Sequence, residues 1–175
     1  MELQLASGDI TGMICESVDA VVSSVSASLI SGGGGVDGAV QRAGGSAVLR
    51  ACQEIRRTSR PDGVAVGDAV ATTAGRLGCR WVIHTVGPAY DPDQSTALRS
   101  CYTRSLAVAD EIGAGAVAFP LVSAGALGWP VVDAIRQALT AVRDADTAVD
   151  RVVLILFDQA TFSLAQEVMA QSPTG

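Results

Sequence analysis

The chain has 175 residues, 49% of them hydrophobic and 17% charged, which fits one compact domain with a sizeable core. Its formal charge of −6 and pI near 4.6 argue against the basic face on which nucleic-acid binding rests, so no nucleic-acid partner is expected. No apolar run approaches the roughly 18 residues of a membrane span, and the acidic start Met1-Glu2-Leu3-Gln4 lacks the basic flank of a signal peptide; a cytoplasmic protein with no membrane partner is expected.

In chain order, a weak strand signal at residues 2–5 leads to the loop Gly8-Asp9-Ile10-Thr11. A β-branched run at 18–23 then passes through small polar residues into Gly-Gly-Gly-Gly-Val-Asp-Gly at 32–38. A helix is expected over 36–57, broken near Gly44-Gly45. Two strands follow at Ala69–Thr73 and 81–86, and then a helix at Ser95–Ile112. A strand at 116–119 runs into the small-residue loop Ser123-Ala124-Gly125-Ala126-Leu127-Gly128, with a helix at Val131–Arg143 after Pro130. The last strand is expected at 151–157 and the last helix at 161–170, with 172–175 as a tail. Six strands alternating with helices predict an α/β sandwich, largely parallel, with helices on both faces and residues 1–171 as a single domain.

In such folds ligands gather at the carboxyl ends of the strands. Glycines at 32–35 let backbone N–H groups turn toward an anion, and the helix start that follows adds its dipole. The loop at 123–128 has the same character, so two phosphates could be held from two strands. Asp9 could accept a hydrogen bond from an exocyclic amine. The glycine loop lacks the Gly-Lys-Ser/Thr of a Walker A motif and is not a GxGxxG fingerprint. All twelve basic residues are arginine; anion binding through backbone dipoles suits a diphosphate diester better than a triphosphate with its metal. Cys15, Cys52, Cys79 and Cys101 are widely spaced, which signals neither a zinc site nor a disulfide framework. They are expected to be reduced and mostly packed.

Six segments, "GDIT" at 8–11, "VDAVV" at 18–22, "GGGGVDGAV" at 32–40, "VIHTVGP" at 82–88, "AFPLVSAGALGWP" at 118–130 and "LILFD" at 154–158, resemble the macrodomain in order and spacing over nearly the whole chain, most closely its MacroD-type branch. The resemblance implies a three-layer α/β/α sandwich with a six-stranded mixed sheet. It also implies that the protein binds ADP-ribose, with no cofactor. Many members of that branch remove mono-ADP-ribose from acidic side chains of proteins or deacetylate O-acetyl-ADP-ribose, so the implied partner is ADP-ribose or an ADP-ribosylated protein. A monomer is the default for a small acidic domain.

Carried over residue by residue, the resemblance gives Asp9 the adenine amino group, the Ile10 backbone a ring nitrogen and Phe157 the adenine face. Gly33, Gly34, Gly35 and Val36 meet the diphosphate from one side, and Ser123, Gly125, Ala126 and Leu127 from the other. Asp37 is the implied catalytic or substrate-orienting carboxylate. Where the family usually reads Val-Asn-Ala-Ala-Asn, this chain reads Val22-Ser23-Ser24-Val25-Ser26. Ser26 therefore stands in for the catalytic Asn, in a loop one residue longer than usual. The second loop also lacks its usual aromatic. A serine hydroxyl is shorter than a carboxamide and offers one donor in place of two, so the distal ribose is expected to be held differently. The competing reading is a module that binds ADP-ribose without turning it over. His84 is expected to be a hydrogen-bonded structural residue, and Trp129 either covers the site or simply packs.

Overall fold

In a computed structural model describing residues 1–30 and 34–171, six strands form one sheet. They are β1 (Glu2–Ser7), β2 (Ala20–Ser24), β3 (Ala69–Thr73), β4 (Trp81–Thr85), β5 (Ala116–Pro120) and β6 (Arg151–Leu156), ordered β1-β6-β5-β2-β4-β3. All neighbouring pairs are parallel except the edge pair β3 and β4, so the sheet is mixed and largely parallel. Among the described residues five α-helices accompany the sheet: α1 (Gly35–Gly44), α2 (Ser46–Thr58), α3 (Ser95–Ile112), α4 (Val131–Arg143) and α5 (Gln159–Gln171). The tail at 172–175 and Gly33 lie outside the described residues.

Strand alternation assigns the layers. Val22, Ile83, Val117, Phe119, Val152 and Leu154 are buried with α3, α4 and α5. Their neighbours Val21, Val82, Ala118, Val153 and Ile155 are buried on the opposite face with Val40 of α1. Val48 and Cys52 of α2 extend that second layer against Val25 and Val86. The inner strands are apolar on both sides because both sides are covered, as parallel strands require. No helix among the described residues is long and apolar enough to cross a membrane.

The break expected near Gly44-Gly45 is present, with Gly45 at φ +77° between α1 and α2. Several strand and helix ends differ from expectation, two of them for a plain local reason. The second strand begins at Ala20 because Asp19 is occupied elsewhere. Its carbonyl accepts the Arg80 and Trp81 N–H groups, and its carboxylate accepts those of Gly115 and Ala116, each at 2.9 Å. The last strand stops at Leu156, since Phe157 turns outward and Asp158 starts α5 by accepting the Thr161 N–H at 2.8 Å and its hydroxyl at 2.9 Å. That N–H, then the hydroxyl, holds the Asp158 carboxyl below its ordinary range.

One buried contact ties the core to the loop after β5. Tyr102 of α3 packs on Phe119 of β5 with ring centroids 5.2 Å apart, and its hydroxyl accepts the Val122 N–H at 3.0 Å. The exit of β5 is thereby fixed one residue before Ser123.

Candidate functional site

The carboxyl ends of β1, β6 and β5 and the start of α1 enclose a cleft of about 690 Å³. From β1 and its loop come Gly8, Asp9 and Ile10; from the segment after β5, Leu121, Ala124 and Gly125; and from the end of β6, Ile155, Phe157 and Asp158. Helix α1 contributes Gly35, Val36, Ala39 and Arg42. The spacing 36, 39, 42 places one face of α1 along the cleft.

Asp9 is exposed at the rim. Its Oδ1 accepts the Thr11 N–H at 2.8 Å and the Thr11 hydroxyl at 2.7 Å, a local turn that fixes the carboxylate's direction. Ile10 beside it is 4% exposed, and its carbonyl accepts the Cys15 thiol at 3.0 Å. Phe157 is 83% exposed, a large apolar ring left in water at the cleft edge.

Among the described residues no side chain caps α1, whose N-cap is Gly34. The first N–H groups of a helix have no intrahelical acceptor, and the dipole is positive there. At Gly35 the backbone takes φ +59°, which a side chain rarely adopts, although a Cβ there would meet nothing within 4 Å. Glycine is thus required for the bend and not for space. Asp37, in the first turn, is 6% exposed and does not line the cleft. Burial, and then the Asp37 charge, push the Cys52 thiol up to about 11.

The second loop is braced from outside. The Tyr90 N–H donates to the Leu127 carbonyl at 2.8 Å, the Trp129 N–H to the Ser123 carbonyl at 3.1 Å, and the Trp129 indole to the Pro88 carbonyl at 3.0 Å. Trp129 is 2% exposed and meets the Tyr90 ring edge-on at 5.3 Å, so it packs and does not cover the cleft. Ser123 is 4% exposed in a left-handed conformation, φ +65°, and its hydroxyl has no hydrogen-bond partner.

Of the residues singled out in the sequence, Asp9, Ile10, Gly35, Val36, Gly125 and Phe157 share the cleft wall. Gly34, Asp37, Ser123, Ala126 and Leu127 flank it without lining it, and Ser26 is exposed with its hydroxyl 2.9 Å from that of Ser28. Sequence reasoning missed Ala39, Arg42 and Thr161. The first two were legible in the helical spacing from Val36; Thr161 was not, because its place depends on where β6 ends. Arg42 is the one cation among the described lining residues, against the carboxylates of Asp9 and Asp158. His84 is fully buried with Nε2 2.8 Å from the Thr72 hydroxyl, so it belongs to the packing under α2. Among the described residues, no three His, Cys, Asp or Glu side chains converge as metal ligands would.

The Macro domain family model matches residues 22–138. A macro domain-containing protein of Streptomyces griseus is 45% identical over 171 residues, covering 96% of this chain and 94% of its own. The O-acetyl-ADP-ribose deacetylase of Salmonella typhimurium is 38% identical over 175 residues, with 97% and 94% covered. Among solved structures, an Oceanobacillus iheyensis macrodomain mutant with ADPR superposes with a TM-score of 0.88 at 32% identity, over 96% of this chain and 91% of that one. The same macrodomain with ADP gives 0.87 at 32% identity, over 96% and 90%. The family model spans more than half of the sequence and these relatives cover nearly all of it: the chain belongs to the macro domain family.

Proposed function

We propose that this protein binds ADP-ribose in the cleft and hydrolyses mono-ADP-ribose from acidic side chains of modified proteins, or the acetyl ester of O-acetyl-ADP-ribose, as a cytoplasmic monomer in which residues 1–171 work as one domain. The observation that carries the reading is the convergence of the α1 start at Gly35, the small-residue loop at Ala124-Gly125, a rim carboxylate and an exposed aromatic ring on one cleft. The named activity of the Salmonella relative and the ligands of the Oceanobacillus structures support it.

In this reading Asp9 accepts the adenine amino group, the Ile10 N–H meets a ring nitrogen and Phe157 stacks on the base. The diphosphate lies between the start of α1, with Gly33 to Val36, and the loop Ser123 to Leu127. The distal ribose reaches toward Asp37. Water then attacks the anomeric carbon, the bond to the side-chain carboxylate breaks, and the carboxylate leaves with the electron pair while the water proton passes to Asp37. Loss of an orienting Asn costs on the order of a hundredfold in rate, which slows such a reaction without abolishing it.

A second reading, a reader that binds ADP-ribose without turnover, is favoured by Ser26, whose hydroxyl is engaged with Ser28 away from the cleft wall. Incubating a protein mono-ADP-ribosylated on glutamate with this domain separates the two. Release of ADP-ribose is expected. Binding without release makes the protein a reader, and absence of both overturns the assignment of the cleft.

A further inference from the structure

Two helices begin on the wall of the cleft, and their starts are treated differently. That of α1 follows a glycine N-cap, and among the described residues no side chain caps it. At α5 the chain supplies its own anion. Asp158 Oδ1 accepts the Thr161 N–H at 2.8 Å, its Oδ2 accepts the Thr161 hydroxyl at 2.9 Å, and its carbonyl accepts the Phe162 N–H at 3.0 Å. A carboxylate placed there satisfies a helix start that would otherwise attract an anion. Asp158 and Thr161 both line the cleft, and the proposed chemistry uses neither.

Both residues are left able to accept a hydrogen bond and not to donate one. The Asp158 carboxyl is held below its ordinary range by the Thr161 N–H and then its hydroxyl, and that hydroxyl has given its proton to the carboxylate. Asp158 also follows Phe157 directly, and Phe157 lines the same cleft with an exposed ring. In the ADP-ribose reading Asp158 therefore stands beside the stacked base, where the adenosine sugar is attached.

We propose that Asp158, steadied by Thr161, sets the specificity of the nucleoside end of the cleft: it accepts the hydroxyl groups of the adenosine ribose and excludes a ligand that carries a phosphate on them. A ribose hydroxyl brings the proton that this wall lacks. A phosphate monoester brings about −1.5 to −2 charges and little to donate, and it meets a carboxylate whose direction Thr161 fixes. An acid on the ribose hydroxyls performs the same selection in dinucleotide-binding folds. The charges on the wall agree, since among the described lining residues the carboxylates of Asp9 and Asp158 stand against the single guanidinium of Arg42. The cleft thus sorts its ligand by charge, with the diphosphate at the open start of α1 and the bare sugar at the filled start of α5.

This inference rests on the ADP-ribose reading. Calorimetry on the full chain and on Asp158→Asn compares ADP-ribose with ADP-ribose phosphorylated on the 2′-hydroxyl of its adenosine. Asparagine caps a helix about as well as aspartate, so the substitution removes the charge and keeps α5; Asp158→Ser, which also caps, serves if that variant folds poorly. The unaltered protein is expected to bind the 2′-phosphate at least about tenfold more weakly than ADP-ribose, with the gap narrowing as salt is raised. In Asp158→Asn the two affinities should move in opposite directions: ADP-ribose about threefold weaker, for loss of a charged acceptor, and the 2′-phosphate at least about threefold tighter. Equal binding of both ligands by the unaltered protein, or tighter binding of the 2′-phosphate on Arg42, overturns the proposal. So does a variant in which both affinities fall alike, the result that a purely structural Asp158 gives. A folded, unaltered chain that binds neither ligand sinks the ADP-ribose reading itself, and this specificity with it.

Discussion

A Cβ placed on Gly87 would lie 2.2 Å from the Ser123 hydroxyl oxygen and 3.0 Å from Val122 Cγ1. The bare backbone after β4 is what lets the second loop sit against it. Ser123 is meanwhile left-handed, buried and without a partner for its hydroxyl, three features that each cost stability. Strain of this kind persists at functional sites. Ser123→Gly is therefore expected to raise stability by about 1 kcal/mol in urea unfolding while weakening ADP-ribose binding. Gly87→Ala should lower stability by about 1–3 kcal/mol through overpacking, and adding Ser123→Gly should recover most of that loss. A destabilised Ser123→Gly would show that the serine serves the fold.

Phe157 separates affinity from stability. At 83% exposure its ring buries little, so Phe157→Ala should leave the unfolding free energy within about 0.5 kcal/mol. Binding of ADP-ribose should fall by about 1–3 kcal/mol, the usual worth of stacking a base on an aromatic ring. Calorimetry with ADP-ribose and with ribose 5-phosphate checks this, since only the adenine-bearing ligand should suffer. Equal affinity for ADP-ribose in both proteins would take Phe157 out of the site.

Asp37 stands at 6% exposure in the first turn of α1, where the dipole favours an acid whether or not it is catalytic. Turnover decides between these roles. Asp37→Ala should lower release of ADP-ribose from a glutamate-modified protein by at least about tenfold, with the circular dichroism spectrum and the affinity for free ADP-ribose nearly kept. Unchanged turnover would leave Asp37 as a helix-start acid.

Much of this was legible in the residues. The six apolar runs are strands, because a strand covered on both faces must be apolar throughout. The ends of Ser95–Ile112 and Val131–Arg143 match expectation because glycine, proline and helical spacing mark them. Boundaries failed where a side chain competes with the backbone: Asp19 delays β2, and Asp158 with Thr161 advances α5. Of the glycine loop, Gly35 stands on the cleft wall, a place the sequence suggests because a glycine before a helix carries its own reason. Arg42 and Ala39 were overlooked because a helix face becomes a cleft wall only once the opposite strands are placed. The direction of Ser26 could not be read either, as it depends on a hydroxyl contact with Ser28.

His84 gives a prediction that needs no ligand. Thr72 donates its hydroxyl proton to the Thr73 carbonyl at 3.0 Å, so its oxygen accepts from His84 Nε2 at 2.8 Å, and His84 Nδ1 is buried without a partner. Burial holds the imidazole down to about 4. In the unfolded chain the ring titrates near 6.5, so on acidification the unfolded state takes up its proton first. The stability gained by keeping the ring neutral is complete above about pH 6.5 and is lost as pH falls toward 4. Linkage gives a loss of about 2 kcal/mol between roughly pH 7.5 and pH 5. Because the chain has one histidine, no second imidazole titrates in that window. Urea unfolding across it should show close to one extra proton bound by the unfolded state, and His84→Gln should flatten the slope. A slope that survives in His84→Gln would assign the proton to a carboxylate.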